Sequence, residues 1–472
     1  MAVTTPPRED LGITLRSRAG VAIVSAAVLG SALAYLSDDM LNVALPSMSR
    51  DLDVGVTEMQ WVINGYFIAM LSLMLTAGSI GDIRGHRRTF LVGLAIFASG
   101  AVVSAAAPVV AVLVVGRGIQ GVGAALLLAS GLALVNGSFS GDERGRAIGV
   151  YMGLTAVATA AGPALGGLLV DLLSWRAIFV APLVFPLAAA VVTYGWVPES
   201  TKNEERSIDF GGAILAFITM SAFSFALIRG PGAWLDIDIV FALAVAAVGA
   251  WAFLRRQRHA EDPMLPLTLF RSRSFSGGNA VTLLSYMVSA GAFLFIAIQL
   301  QTTLGYRPAR AGAALVPIYI IMLIGSPLSG RLADKIGARI PVVVGNVVLA
   351  IGVGWLSFVD AESEFLSGVL PGLVVLSVGL ATLGAPLTSA TLGAVGADVQ
   401  GVASGVNNTV GQLGGLLMIA VLPAVAGLSG FGFDDPEFAN GYQLALQVCA
   451  ALSLLAAAIA AITIRSKPNA AR

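Results

Sequence analysis

Two adjacent carboxylates, Asp38 and Asp39, and one guanidinium, Arg117, stand inside long apolar runs of a 472-residue chain. A charge at the centre of a bilayer costs about 2.5–3.5 kcal/mol on insertion scales, so ionisable residues there usually face the protein interior and carry function. A carboxylate so placed can take a proton from one side and release it to the other. It can also attract a cation, and the two uses compete, which is the simplest physical basis for exchange. Adjacent helical residues point about 100° apart, so only one aspartate is expected to face a cavity squarely. Asn42 lies at i+4 from Asp38 and i+3 from Asp39, extending a polar stripe along one helix; the alternative is a polar patch in the helix's outer half, near the interface. Arg117 shares a helix face with Gln120 and can pair with an aspartate or with helix carbonyls. Asn408 and Gln412 are i, i+4 neighbours that either line a cavity or bond between helices. Tyr66, Trp61 and Tyr286 are aromatic candidates for holding a flat lipophilic substrate, with Trp61 alternatively an interface anchor.

The elements that must position these residues are membrane helices. The chain is 57% hydrophobic and 11% charged, where a soluble domain carries about 25% charged residues. Apolar runs of about 20 residues suffice to span a bilayer, and they fall near 20–46, 57–80, 89–107, 109–136, 146–170, 176–197, 210–229, 232–254, 276–300, 311–333, 340–359, 365–392, 400–427 and 441–464. That makes about fourteen spans, an even number, with both ends on one side. With the N-terminus cytoplasmic, the inner segments hold 21 Arg and Lys residues and the outer ones 5, as the positive-inside rule demands. The first run follows a polar segment without a small-residue cleavage site and is expected to be retained as a helix. A plasma-membrane location with both termini cytoplasmic follows.

The chain repeats itself once. Gly78, Asp82, Arg84, Gly85, Arg87 and Arg88 follow the second span, and Gly330, Arg331, Asp334, Lys335, Gly337 and Arg339 follow the tenth, 252 residues later. The expected fold is an all-α integral membrane protein of two pseudo-symmetric six-helix bundles with two inserted transmembrane helices. Its divisions are a cytoplasmic tail (1–18), an N-terminal bundle (19–198), linker helices with flanking loops (199–275), a C-terminal bundle (276–464) and a cytoplasmic tail (465–472). Internal repeats of this kind point to transporters with the substrate site between the halves. Gly78 is expected to let two helices approach closely. Asp82, at a cytoplasmic helix end, is expected to pair with Arg87 or Arg88 or to cap a neighbouring helix.

The first loop resembles the G-x-L-A-D-R-x-G-R-K/R signature of the major facilitator superfamily, and further motifs resemble its fourteen-helix drug:proton antiporter branch. Arg117, Gln120, Gly121 and Gly123 are similar to R-x-x-Q-G-x-G; Gly162, Pro163, Gly166 and Gly167 to the antiporter motif G-P-x-x-G-G; Asn42 to Pro46 to the end of the branch's first helix. Gln60-Trp61 and Trp175-Arg176 open spans as in that branch. The resemblance implies proton-coupled export of lipophilic, including cationic, small molecules by alternating access. It gives Arg117 a part in proton transfer, the Asp82 loop the role of cytoplasmic gate with Asp334 in its second copy, and the glycines the sealing of one path. Two motifs depart from it, at four positions. Aligned from Pro46, the branch's aspartate falls on Ser37 and its threonine on Asp39; Ile83 and His86 replace usual arginines.

Other function classes find no support. Net charge is zero, giving no argument for nucleic acid. Cys449 is the single cysteine. No P-loop, zinc-protease or hydrolase-elbow motif is present. The chain is therefore not expected to be an enzyme or to need a cofactor or metal; its partners are a small-molecule substrate, protons and the bilayer, and it is expected to act as a monomer. The rivals are an exporter of one metabolite, such as an antibiotic, siderophore or lipid, and a non-transporting membrane receptor.

Overall fold

The computed structural model describes residues 13–198, 208–231, 233–260, 263–396, 399–428, 431–432, 435 and 437–464. The first part of the N-terminal tail, Lys202 and Arg206 of the loop after the sixth span, and the C-terminal tail from 465 lie outside them. Among the described residues the chain is helical, without strands. The N-terminal half comprises α1 (Arg18–Leu52), α2 (Val56–Arg84), α3 (His86–Ala105), α4 (Val110–Ser138), α5 (Gly141–Ala160), α6 (Gly162–Leu172), α7 (Ala177–Val180) and α8 (Val184–Trp196). The insert is α9 (Phe210–Arg229) and α10 (Ile237–His259). The C-terminal half comprises α11 (Arg273–Thr302), α12 (Pro308–Ile336), α13 (Arg339–Leu356), α14 (Leu370–Leu392), α15 (Gln400–Val425) and α16 (Glu437–Thr463). Thirteen helical segments are long and apolar enough to cross a membrane, and α2, bent by 54° between Met74 and Thr76, makes a fourteenth when its two parts count as one span. The inserted pair is among them. In hydrocarbon every backbone polar group must be satisfied within the protein, which is why these apolar runs become helices.

Two boundaries differ from the expectation. α1 does not stop near Pro46 but continues to Leu52 with that proline inside it, and Arg50 Nε donates to the Pro46 carbonyl at 3.1 Å. At 1.5 Å per residue, 35 residues reach about 52 Å, far beyond a hydrocarbon layer of about 30 Å. Asp38 and Asp39 therefore lie about one turn past the helix midpoint, not near an interface. The eighth span begins at Ile237, with Asp236 at its cap, because the residues before it form turns.

The repeat extends to the backbone. Gly85 (φ 92°) separates α2 from α3 and Gly337 (φ 85°) separates α12 from α13, a region that L side chains rarely adopt. The pairing between halves is reciprocal: the second helix of each half meets the fifth span of the other, α2 on α15 and α12 on α6, while α1 meets α11. Missing side chains set the closeness of these seams. A methyl at Gly167 would run into the Pro308 carbonyl, and one at Gly312 into that of Pro163.

The seams are shut at one end only. At the end carrying Gly55, Gln60 Nε2 donates to the carbonyls of Ile419 (2.7 Å) and Ala420 (3.1 Å), Gln301 Nε2 to Val43 (2.9 Å), Val56 N to Phe431 (3.1 Å) and Ala309 N to Asp171 Oδ2 (3.0 Å). At that end too, Asp51 accepts from Trp175 Nε1 (2.8 Å) and Arg176 Nη1 (2.7 Å), and Arg176 Nη2 reaches the Ala107 carbonyl (3.2 Å). At the end carrying Asp82, α5 stands largely free: Met152 and Leu154, on different faces, are 58% and 49% exposed, and a methyl at Gly145, Gly149 or Gly153 would meet nothing within 4 Å.

The insert packs with α9 against both α2 and α15 and with α10 on α9. Asp209 ties the pair together. Its Oδ1 accepts from Gly212 N (2.8 Å) and Arg256 Nε (2.5 Å), and its Oδ2 from Gln257 Nε2 (2.8 Å). Burial disfavours the charged carboxylate, but these three donors and the Arg256 charge outweigh it and hold Asp209 below the usual carboxylate range.

Two predictions follow from this packing. Gly167→Val overpacks the α6–α12 seam and is expected to cost about 1–3 kcal/mol, read as a lowered melting temperature in detergent; an unchanged melting temperature would show a looser seam. Because the Asp209 value is lowered, its stabilisation is present above the ordinary carboxylate value, about 3.9, and is lost as pH falls through the lowered one. The melting-temperature difference between the parent and Asp209→Asn is therefore expected to be full at pH 7 and to shrink toward pH 3.

Candidate functional site

Helix α4 is brought against its neighbours by glycines. A methyl at Gly121 would run into the Tyr66 carbonyl of α2, one at Gly116 would meet the Ser104 amide of α3 at 2.7 Å, and one at Gly123 would meet Phe97 Cα at 2.7 Å. This close approach buries Arg117 completely. Its guanidinium spreads its donors over three helices: Nε to the Val62 carbonyl (3.3 Å), Nη1 to Ser37 Oγ (3.4 Å) and Gln120 Oε1 (3.4 Å), and Nη2 to Asp38 Oδ1 (3.3 Å). The Tyr66 ring lies 4.3 Å beneath it, and the Tyr66 hydroxyl donates to the Ala34 carbonyl at 3.0 Å. Gln120 is held from behind by Ser104 Oγ at 3.5 Å. Of the open possibilities for Arg117, the aspartate and a helix carbonyl are both used.

The two aspartates part company as helical geometry requires. Asp38 turns to Arg117. Asp39 turns to a cavity of about 10 Å³ lined also by Asn42, Pro163, Phe293 and Tyr319, and it interacts with the Tyr319 hydroxyl of α12. A cavity of that size holds about one water molecule. Asp39 is placed there by the glycine motif: a methyl at Gly162 would fall 2.9 Å from Asp39 Cβ, and one at Gly166 would fall 2.8 Å from Met40 Cα. Pro163 lies in the first turn of α6, and the fifth span breaks between Ala160 and Gly162. Asp39 thus stands where α1, α6 and α12 meet, across the junction of the halves.

A second polar group lies toward the open end. Tyr35, one helical turn before the aspartates, interacts with Asn408 and Gln412 of α15 and lies near Tyr151 and Tyr286. Ser31 and Tyr151 share a hydrogen bond of 2.8 Å. Tyr286 is 45% exposed in mid-helix beside Gly411, as a residue facing the central opening must be. Asn408, Gln412 and Tyr286 therefore do come together, around a tyrosine that sequence patterning did not single out.

Other expected residues stand elsewhere. Trp61 faces the insert, its ring 6.3 Å from that of Phe225 on α9. Tyr66 is buried beneath Arg117 and presents no surface to a substrate. Gly78 has nothing within 4 Å of its would-be Cβ; the close helix approach expected there does not occur, because the seams are parted at that end. Asp82 pairs with His86 Nε2 at 3.1 Å. Arg87 reaches across to the carbonyls of Thr193 (3.3 Å) and Tyr194 (2.7 Å). Arg88 follows it on α3, and Asp334 is exposed on α12. Tyr35 and Tyr319 carried one available signal: a tyrosine within an apolar run brings a hydroxyl that needs a partner.

Removing one member of the Arg117–Asp38 pair leaves the other buried and uncompensated, at a cost of about 3–5 kcal/mol. Asp38→Asn is expected to melt lower than the Asp38→Asn, Arg117→Gln double variant. Additive losses would mean that the two groups do not act as a pair.

The Major Facilitator Superfamily profile matches residues 27–419 and again 279–472. The chain is 35% identical over 399 residues to the multidrug resistance protein Stp of Mycobacterium tuberculosis, covering 84% of this chain and 74% of that one. It is 34% identical to the tetracenomycin C resistance and export protein of Streptomyces glaucescens (86% and 76% covered). It is 32% identical to the cephamycin export protein CmcT of Amycolatopsis lactamdurans (87% and 85%). Among solved structures it resembles a bacterial homologue of the human drug peptide transporters PepT1 and PepT2 (TM-score 0.67, 15% identity, 94% and 97% covered). It also resembles a D-xylose–proton symporter (TM-score 0.63, 15% identity, 95% and 97%). Likeness at that identity concerns the fold alone.

Proposed function

Because the chain belongs to the Major Facilitator Superfamily and is a multi-span membrane transporter, we propose that it exports lipophilic small molecules, cationic ones among them, in exchange for protons by alternating access. The observation that carries this is the placement of two membrane-embedded carboxylates where the halves meet, one on a buried arginine and one on a tyrosine of the opposite half. Further support comes from the relatives, which are named for resistance and export.

The proposed orientation puts both termini and the Asp82 end in the cytoplasm, as the distribution of arginines asks. A substrate then enters from the cytoplasm among Tyr35, Tyr286, Asn408 and Gln412, while the Gln60, Gln301 and glycine contacts keep the outer path shut. Asp39 is the carboxylate with no arginine on it, so it is assigned the proton and the attraction for a substrate cation. Opening of the α6–α12 seam separates it from Tyr319 and exposes it to the outside. Asp38 and Arg117 set the electrostatic background of that exchange. The Asp82–His86 and Arg87 contacts at the inner helix ends are the elements that rearrange as the cytoplasmic side closes. The bundle boundaries given above divide the chain accordingly. A second reading, an exporter dedicated to one antibiotic, is favoured by relatives named for cephamycin and tetracenomycin C.

The test is substrate-driven pH change in proteoliposomes. The parent is expected to move protons against substrate, Asp39→Asn and Arg117→Ala to lose coupled export, and Asp82→Asn to slow turnover while leaving substrate binding intact. Coupling is misassigned if neither Asp38→Asn nor Asp39→Asn changes export. The gate is misassigned if Asp82→Asn transports at the parental rate.

A further inference from the structure

A cleft of about 550 Å³ lies at the Asp82 end of α10, away from the polar core, lined by Trp251, Ala252, Arg255, Arg256, His259 and Ala260. These residues form two neighbouring stripes at i, i+4 spacing. Trp251, Arg255 and His259 make one; Ala252, Arg256 and Ala260 make the other. Along the first, Trp251 precedes Arg255 and His259; along the second, Ala252 precedes Arg256, with Ala260 just past the helix end. That is the order of an acyl chain followed by its headgroup. Trp251 is 60% exposed, on a helix whose Phe241 and Val248 are 69% and 64% exposed, so this side of α10 is the lipid-facing one.

The basic groups are fixed rather than loose. The Arg255 guanidinium lies 5.3 Å from the Trp251 ring centroid. His259 Nδ1 is engaged with the Arg255 carbonyl at 2.8 Å, which leaves Nε2 for another partner. Arg256 spends Nε on Asp209 at 2.5 Å, and its two amino nitrogens have no hydrogen-bond partner among the described residues. On the opposite side Gln257 is buried, bonded to Asp209 and accepting from Leu265 N at 3.0 Å, so the rotation of the helix end is set. One carboxylate, Asp209, stands against Arg256 there. The sequence continues with Glu261 and Asp262, which lie outside the described residues.

We propose that this cleft binds the phosphate headgroup of an anionic phospholipid, with an acyl chain lying along Trp251 and Ala252. Arg255, Arg256 and His259 supply the donors that a phosphate diester accepts. The bound lipid bridges the end of α10 and, through Arg256 and Asp209, the start of α9. Since α9 rests on both α2 and α15, an occupied cleft steadies the insert against the junction of the halves. The proposal rests on the membrane fold and is independent of which substrate is carried.

The purified full chain is titrated with phosphatidylglycerol or phosphatidylcholine and its retained lipids are counted by native mass spectrometry. Phosphatidylglycerol is expected to be held in preference. Arg255→Ala, His259→Ala is expected to weaken that retention by roughly fivefold for each basic group removed, with phosphatidylcholine unchanged. Arg255→Lys, which keeps the charge, is expected to retain it, separating charge loss from misfolding. Trp251→Phe is expected to remove the emission component quenched by brominated phosphatidylglycerol. Equal retention by the parent and the double alanine variant, or no preference between the two lipids, overturns the proposal. Displacement of the lipid by millimolar inorganic phosphate also overturns it, and marks a site for a free anion.

Discussion

A guanidinium in the middle of a membrane protein has no water to solvate it, so the protein must supply every partner. Arg117 takes a carbonyl from α2, a hydroxyl and a carboxylate from α1, an amide oxygen from its own helix and an aromatic face. The α2 partners lie within reach because Gly121 lets α4 pack onto the α2 backbone, and Gly116 and Gly123 do the same for α3. The close packing of the N-terminal half and the polar face of α1 are thus two aspects of one requirement. Once Asp38 is committed to Arg117, the adjacent carboxylate must look about 100° away. That direction is toward α6 and α12, where the two halves meet.

The same economy governs the junction between halves. Across the closed end, single side-chain amides and the exposed Asp171 carboxylate reach opposing backbone groups, and bare glycines let main chain lie on main chain. Contacts of that kind can part without stranding a charge. Gln60 and Gln301 each keep a buried side-chain oxygen without a hydrogen-bond partner among the described residues, a cost of about 1–3 kcal/mol for each such group left unsatisfied. Hydration on opening would remove that cost, so the shut end is not held at the bottom of a deep well.

Much of the architecture was legible in the sequence because its signals are large. Runs of about 20 apolar residues, one-sided arginines and a repeated Gly–Asp–Arg–Gly loop leave few alternatives, and both loop glycines occupy positive φ at corresponding turns. The polar core was legible for residues that a bilayer penalises: Asp38, Asp39, Arg117, Asn408 and Gln412. Aromatic residues were harder. Inside a membrane, lipid and protein interior are both apolar, so periodicity does not tell a tyrosine facing a cavity from one facing lipid or another helix. Hence Tyr35 and Tyr319 went unnoticed, while Trp61 packs on the insert. Gly78 illustrates another limit: a glycine spacing tells that helices can touch, and the conformation decides whether they do.

The insert has one more consequence. The two bundles are related by a reciprocal pairing, α2 with α15 and α12 with α6, but among the described residues α9 lies on the α2–α15 pair. The α2–α15 flank of the junction is therefore covered by the insert, while on the other flank α12 packs on α5 and α6. The pseudo-symmetry of the two halves is thereby broken, and the molecule has a front and a back in the plane of the membrane.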